Sequence, residues 1–457
     1  MLKTFIENHT EEMLDSIAKL IRIPSVMGDR SENAPFGKPC ADALKAALEI
    51  AEGMGFSVKN FDNYVGTAEY IPEGAEGIGL AVLCHLDVVP SGSGWTYPPF
   101  ECTRSGDVII GRGVIDDKGP AMAALYALYA VKEQKIPLKK GIRIIFGTNE
   151  ENGSADLEYY EKCEAYPENV FTPDGSFPVI NVEKGMLRSF FGGDVSENAD
   201  DFIISVKGGT VANAVPEAAE AVIKPEFVEA ARKAVSEDKS GVGFTVSENG
   251  IITAKGRSAH ASTPQSGINA IVGLIGLLCK ISDGKSEKAK KLSEILKILP
   301  MGETDGASLG LKCSDEKSGA LTSVFSIFEM SNGHIKGTLD VRFPTCLTLA
   351  EVKSAEEKAF STFGCSIESC MGDEPHITDE NSDFIRTLLS VYEKHTGEKG
   401  RCLAIGGGTY VHNIKGGVAF GAEFGGTDYH MHGADEFVPI KELVMQAAMY
   451  ADVMAEV

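Results

Sequence analysis

"IRIIFGTNEENGS", Ile142 to Ser154, is an apolar, β-branched run that breaks into polar residues at Gly147. Such a run reads as a buried strand reaching the edge of its sheet. Two adjacent glutamates, Glu150 and Glu151, stand at its mouth. Like charges side by side repel, and burial raises that cost. A solvated acidic loop is one explanation of the pair. The other is a site where a cation offsets one charge and the second carboxylate moves a proton.

Working outward, the Ala-rich run "GPAMAALYALYAVKEQ" precedes this strand with helical periodicity, and "IGLAVLCHLDVV" precedes that as another strand. Strand–helix–strand alternation predicts an α/β fold: a mixed, mostly parallel sheet flanked by helices. In such sheets chemistry gathers at the carboxyl ends of strands. "HLDVVP", "DDKGP" and "NEENG" all lie at or near such ends.

The pattern changes near Gly185. "GFTVSENGIITAKG" and "SVFSIFEMSNGHIKGTLDVRF" are each two alternating runs about an Asn-Gly turn, at Asn249-Gly250 and Asn332-Gly333, which is a strong hairpin signal. A helical run follows each hairpin at equal spacing. After "DEPHITDENS" helix and strand return. The expected architecture is a catalytic α/β domain of residues 1–184 and 377–457. It is interrupted by an inserted α+β lid domain, 185–376, of two related hairpin-plus-helix halves.

The chain has 457 residues, 43% hydrophobic and 24% charged, with a net charge of −23. That is the composition of a soluble globular protein, and the charge argues against nucleic acid or an anionic membrane as partner. No apolar run is long enough to span a bilayer. The N-terminal segment is acidic and amphipathic, unlike a signal peptide. The ten Cys form no CxxC pairs and read as reduced thiols, so a cytoplasmic location is expected.

The polar residues at strand-end positions are His85 and Asp87, Asp116 and Asp117, Glu150 and Glu151, Asp174, and His430 and His432. Carboxylates with imidazoles form a ligand set for divalent ions such as Zn²⁺, Mn²⁺ or Co²⁺.

"HLDVVP", "GRGVIDDKGP", "TNEENGS", "PDGSFPVINVEKG", "GRSAHASTP" and "HMHGADE" resemble, in order, the motif series of the di-zinc aminoacylase and carboxypeptidase-G metallopeptidase superfamily. "PDGSFPVINVEKG" and "GGGTY" resemble its dipeptidase V branch, that of carnosinase-like Xaa-His dipeptidases. The resemblance implies that His85 and Asp174 hold one zinc, that Glu151 and His432 hold the other, and that Asp116 bridges them. It makes Glu150 the general base acting on a water activated by the two zincs. Asp87 would accept the proton of the His85 nitrogen that faces away from the metal. The bond between Asp116 and Asp117 would be cis. His260 resembles the oxyanion-binding His, and Arg342 the Arg that binds the substrate carboxylate. Both fall at the end of the second hairpin strand of their repeat. Asn213 and the loop containing Gly408 would contact substrate.

Some positions depart from the family pattern. Asn149 stands where an acid is common, and His412 where Arg is expected. His432, rather than His430, matches the ligand position through "HGADE". The implied activity is hydrolysis of unblocked dipeptides by a monomer, with a homodimer as the alternative. An N-acyl-amino-acid deacylase is the rival within the same chemistry; Asp174 favours the dipeptidase, because deacylating members more often carry Glu there. A non-catalytic binding protein on a hydrolase scaffold would lack ligands or base, whereas all six residues are present.

Overall fold

The computed structural model describes residues 1–198, 201–282 and 286–457. The chain divides into two compact units. One contains Met1–Asn181, Ile377–Leu403 and Thr409–Val457; the other contains Val182–His376 and Ala404–Gly408.

The first unit is built on a mixed sheet. Its centre is four parallel strands in the order Gly141–Gly147, Ile78–His85, Asn169–Thr172, Gly417–Ala419. Val65–Tyr70 and then Ser57–Phe61 extend one side antiparallel. The central strands are buried along almost their whole length, which explains their unbroken apolar runs. Helix Lys118–Glu133 is buried nearly all round. The strands Ile78–His85 and Gly141–Gly147 cover one side of it, and helices Thr10–Ile21 and Ile440–Glu456 cover the other. Its alanines allow that close approach, and a helix sandwiched this way has no use for a polar face. The exception, Lys118, sends its buried ammonium to the carbonyls of Leu20 and Ile23 at 3.0 and 2.7 Å.

The second unit is an eight-stranded antiparallel sheet. Both expected hairpins form, Gly243–Val246 with Ile251–Lys255 and Thr322–Ser331 with His334–Phe343. Each takes the first two places in its half of the strand order. In the second hairpin Asn332 and Gly333 both have positive φ, 48° and 71°, as a two-residue turn between paired Ser331 and His334 requires. In the first, only Gly250 does. Helices Ala270–Ile281 and Leu349–Ser361 follow the hairpins and share one hydrophobic core with the sheet. Among the described residues no helix is long and apolar enough to cross a membrane.

Candidate metal centre

Parallel pairing sets His85 opposite Gly147, so the ends of two central strands lie side by side. Asp87 lies just beyond the first strand, Glu150 and Glu151 beyond the second, and Asp174 beyond Thr172. Asp116 and Asp117 lead into helix Lys118–Glu133, and the bond between them is cis. His432 comes from the loop before the last helix.

These side chains converge as two triads. Ligand atoms of His85, Asp116 and Asp174 lie within 4.8 Å of one another, and so do those of Asp116, Glu151 and His432. Asp116 belongs to both triads and divides its oxygens between them. Oδ1 is 2.9 Å from His85 Nε2, and Oδ2 is 2.8 Å from His432 Nε2.

His85 Nδ1 lies 3.0 Å from the main-chain carbonyl of Asp87, which can only accept. The ring proton is therefore on Nδ1, and a neutral ring points the lone pair of Nε2 at a carboxylate oxygen. Two lone pairs at 2.9 Å need a positive charge between them, either a second ring proton or a metal cation. Glu151 Oε1 is buried without a hydrogen-bond partner; His432 Nε2, 3.2 Å away, lies outside bonding geometry.

Four carboxylates (Asp116, Glu150, Glu151, Asp174) meet only two imidazoles here. Burial, and then the Asp174 charge, push the Glu150 carboxyl well above its usual range. Burial and Asp116 push Asp174 to about 7. The hydrogen bond to Asp116, with the Glu151 charge nearby, pulls His432 up to about 11. Burial opposes a charge on His85, yet Asp116 and Asp87 outweigh it and raise that group too. Burial lifts the two carboxyls first, and the crowding of negative charge adds to that rise and lifts both imidazoles. A buried orphan oxygen, facing lone pairs and an N/O donor set fit a pair of divalent cations.

Asp87 faces His85 Nδ1 with both its carboxylate and its carbonyl, and it also braces the glutamate pair. Its carboxylate Oδ1 is 3.5 Å from His85 Nδ1, while its own carbonyl is closer at 3.0 Å and takes the imidazole proton. The carboxylate also accepts the backbone N–H groups of Glu150 and Glu151, both at 3.1 Å. A buried charge takes the donors that best satisfy it, and two amides aimed at separate oxygens do so better than one distant imidazole.

Sequence reasoning missed Arg112 and Glu436, although both lie within or beside quoted motifs. Glu436 is fully buried and paired with Arg112. Its Oε1 accepts the amides of Gly113 and Ile115 at 2.9 and 3.1 Å, and Arg112 Nη2 donates to Gly433 O at 3.1 Å. The pair thus ties the loop that carries Asp116 to the loop that carries His432. Asn149 Oδ1 accepts the Ala155 amide at 3.2 Å. His430 is exposed and belongs to neither triad.

The second unit gathers the remaining expected residues. His260 lies beyond strand Ile251–Lys255, in an isolated bridge to Ala214, and not at the strand end as expected. Chain leaving a hairpin need not remain in the ladder. The Ser262 amide donates to His260 Nδ1 at 3.2 Å, which leaves the proton of a neutral ring on Nε2. Ala261 is bonded through its amide to Asn213 O at 2.9 Å and through its carbonyl to Thr322 Oγ1 at 2.9 Å. Thr322 pairs across the hairpin with Arg342.

Arg342 is buried and lies on the strand itself, where its guanidinium bonds Asp340 at 2.6 and 3.2 Å and Gly406 O at 3.4 Å. Arg188 also bonds Asp340, at 2.9 and 3.1 Å. Two guanidiniums thus share one carboxylate and leave a positive charge over, which suits a further anion. A Cβ added to Gly406 would meet Ser262 Cβ at 2.6 Å, so the Gly-rich loop packs directly on the His260 segment. Gly408 in that loop is exposed.

The model of peptidase family M20/M25/M40 matches residues 81–456. The chain belongs to this family. It is accordingly a metallopeptidase-family hydrolase, and the resemblance carried by its motif series holds. This M20 chain is 36% identical to the putative dipeptidase YtjP of Bacillus subtilis, with 98% of the chain and 97% of the relative aligned. It is 33% identical to the Beta-Ala-Xaa dipeptidase of Lactobacillus delbrueckii subsp. lactis, over 99% and 97%. Human carnosine dipeptidase 1 superposes with a TM-score of 0.58 at 15% identity, covering 100% of this chain and 99% of that one. At such identity the likeness speaks for the fold alone.

Proposed function

We propose that the protein is a metal-dependent dipeptidase that hydrolyses the peptide bond of unblocked dipeptides. The observation that carries this reading is the pair of ligand triads sharing Asp116, with the uncommitted carboxylate of Glu150 beside them. His85, Asp116 and Asp174 would hold one divalent cation, and Asp116, Glu151 and His432 a second. Zinc is the expected ion, with manganese or cobalt as alternatives. Bound there, the cations supply Lewis-acid polarisation and acidify water.

The protein's own residues do the rest. Glu150 accepts a proton from the attacking water and passes it to the leaving amine, a role that its raised proton affinity suits. His260 presents a protonated Nε2 to the oxygen that becomes negative as the carbonyl is attacked. Arg342, with charge left over from Asp340, binds the free terminal carboxylate. Asn213 and the loop around Gly408 line the substrate. The names of the relatives YtjP and Beta-Ala-Xaa dipeptidase support the dipeptide class.

Protein loaded with zinc, manganese or cobalt is to be offered dipeptides, tripeptides and N-acyl amino acids. Preferential loss of the dipeptides supports the reading. Preferential loss of the N-acyl amino acids replaces it with the deacylase, and inertness toward all three replaces it with a binding protein.

A further inference from the structure

We propose that Asp156, fixed by Tyr410, is a positioning residue that aims the Glu150 carboxylate; this rests on the reading of Glu150 as base. Thr148, Asn149, Glu150 and Glu151 offer four successive backbone N–H groups, and two buried carboxylates take all four. Asp156 Oδ2 accepts from Thr148 at 2.6 Å and Asn149 at 3.0 Å. Asp87 accepts from Glu150 and Glu151, each at 3.1 Å. Hydrogen bonds to an ionised acceptor are short and directional, so this pair clamps the turn at both ends.

Tyr410 reaches Asp156 across 254 residues of sequence and donates its hydroxyl to Oδ2 at 2.5 Å. Both side chains are buried. The Tyr410 ring also meets the His85 ring edge-on, with centroids 6.0 Å apart. One side chain thus touches a proposed metal ligand and the anchor of the base. Gly147 makes room for it: a Cβ there would lie 1.6 Å from the Tyr410 hydroxyl and 2.6 Å from Asp156 Oδ2. The last residue of the strand must be glycine for the clamp to close.

A base works only within hydrogen-bond reach of its proton, and a displacement of about 1 Å costs about 100-fold in rate. Tyr410→Phe keeps the ring against His85 and removes only the hydroxyl. Asp156→Asn keeps the shape and removes the charge. Each variant is to be compared with wild type for bound zinc per chain, for kcat and KM on a dipeptide, and for amide hydrogen exchange over Thr148–Glu151.

Both variants are expected to bind wild-type zinc, to exchange faster at Thr148 and Asn149, and to lose about 10- to 100-fold in kcat with little change in KM. Full kcat in Tyr410→Phe, zinc loss that parallels the kcat loss, or unchanged exchange in both variants would overturn the proposal. If Asp156→Asn fails to fold, Tyr410→Phe alone decides. Wild-type protein inert toward dipeptides would overturn the dipeptidase reading instead, and the exchange rates would still decide whether the clamp exists.

Discussion

Single side chains here carry charges that must find partners, and their partners decide what they do. Asp340 shows this: two guanidiniums converge on it, and the surplus charge suits Arg342 to the proposed role of carboxylate receptor. Arg342→Met should cut hydrolysis of a dipeptide by one to two orders of magnitude, about the value of one charge-assisted bond, and spare its C-terminal amide. Steady-state rates on the two substrates check this, and equal losses would assign Arg342 to structure alone. Glu356 makes a separate prediction about stability. Burial lifts it from 4.5 to about 8, with Ser189 as its hydrogen-bond partner. Below pH 4.5 the folded and unfolded states both hold the proton and nothing is lost. Between 4.5 and 8 the unfolded chain releases it first, so stability falls as pH rises; above 8 the deficit is constant. Glu356→Gln should therefore be the more stable form at pH 9, by on the order of 5 kcal/mol, and nearly equal to wild type at pH 4. Denaturant midpoints at the two pH values measure the difference. The identities of His85, Asp116, Glu150, Glu151, Asp174 and His432 were legible in the sequence because motif order marks them. The partners of Asp87 and Asp340 were not, because they depend on hydrogen-bond angles and on cross-strand register.

Elements position these residues through a few buried links between loops. Glu436 is the main one, holding the turn before Asp116 while its partner Arg112 reaches the loop after His432. Glu436→Gln removes the charge that Arg112 needs. Supporting residues of this kind typically govern metal affinity by about 10- to 100-fold, and that loss is expected for zinc, read by competition with a chromogenic chelator. Unchanged affinity would show that the two loops hold their places without the pair. At this scale the hairpins were plain from their Asn-Gly turns, and helix Lys118–Glu133 from its alanines. The place of Gly417–Ala419 beside Asn169–Thr172 was not, since nothing local in a three-residue strand names a neighbour more than 200 residues away.

Across the whole molecule, the switch from strand–helix alternation to hairpins reveals two kinds of structure in one chain. The membership of the short segment Ala404–Gly408 in the second unit was not legible. The segment groups with that unit through single contacts, Lys184 N to Ile405 O at 3.0 Å and Arg342 to Gly406 O, which leave no periodic trace. The proposed function divides labour sharply: five residues would hold cations, and Glu150 would move the proton. General acid–base groups contribute about 100- to 10,000-fold. The most direct test measures bound zinc and dipeptide turnover together in wild type, Glu150→Gln and Asp116→Ala. Two zinc ions per chain in both wild type and Glu150→Gln, with turnover in that variant lower by at least about 100-fold and zinc lost from Asp116→Ala, is the predicted result. Zinc loss from Glu150→Gln, or near-normal turnover in it, would contradict the assignment of the base.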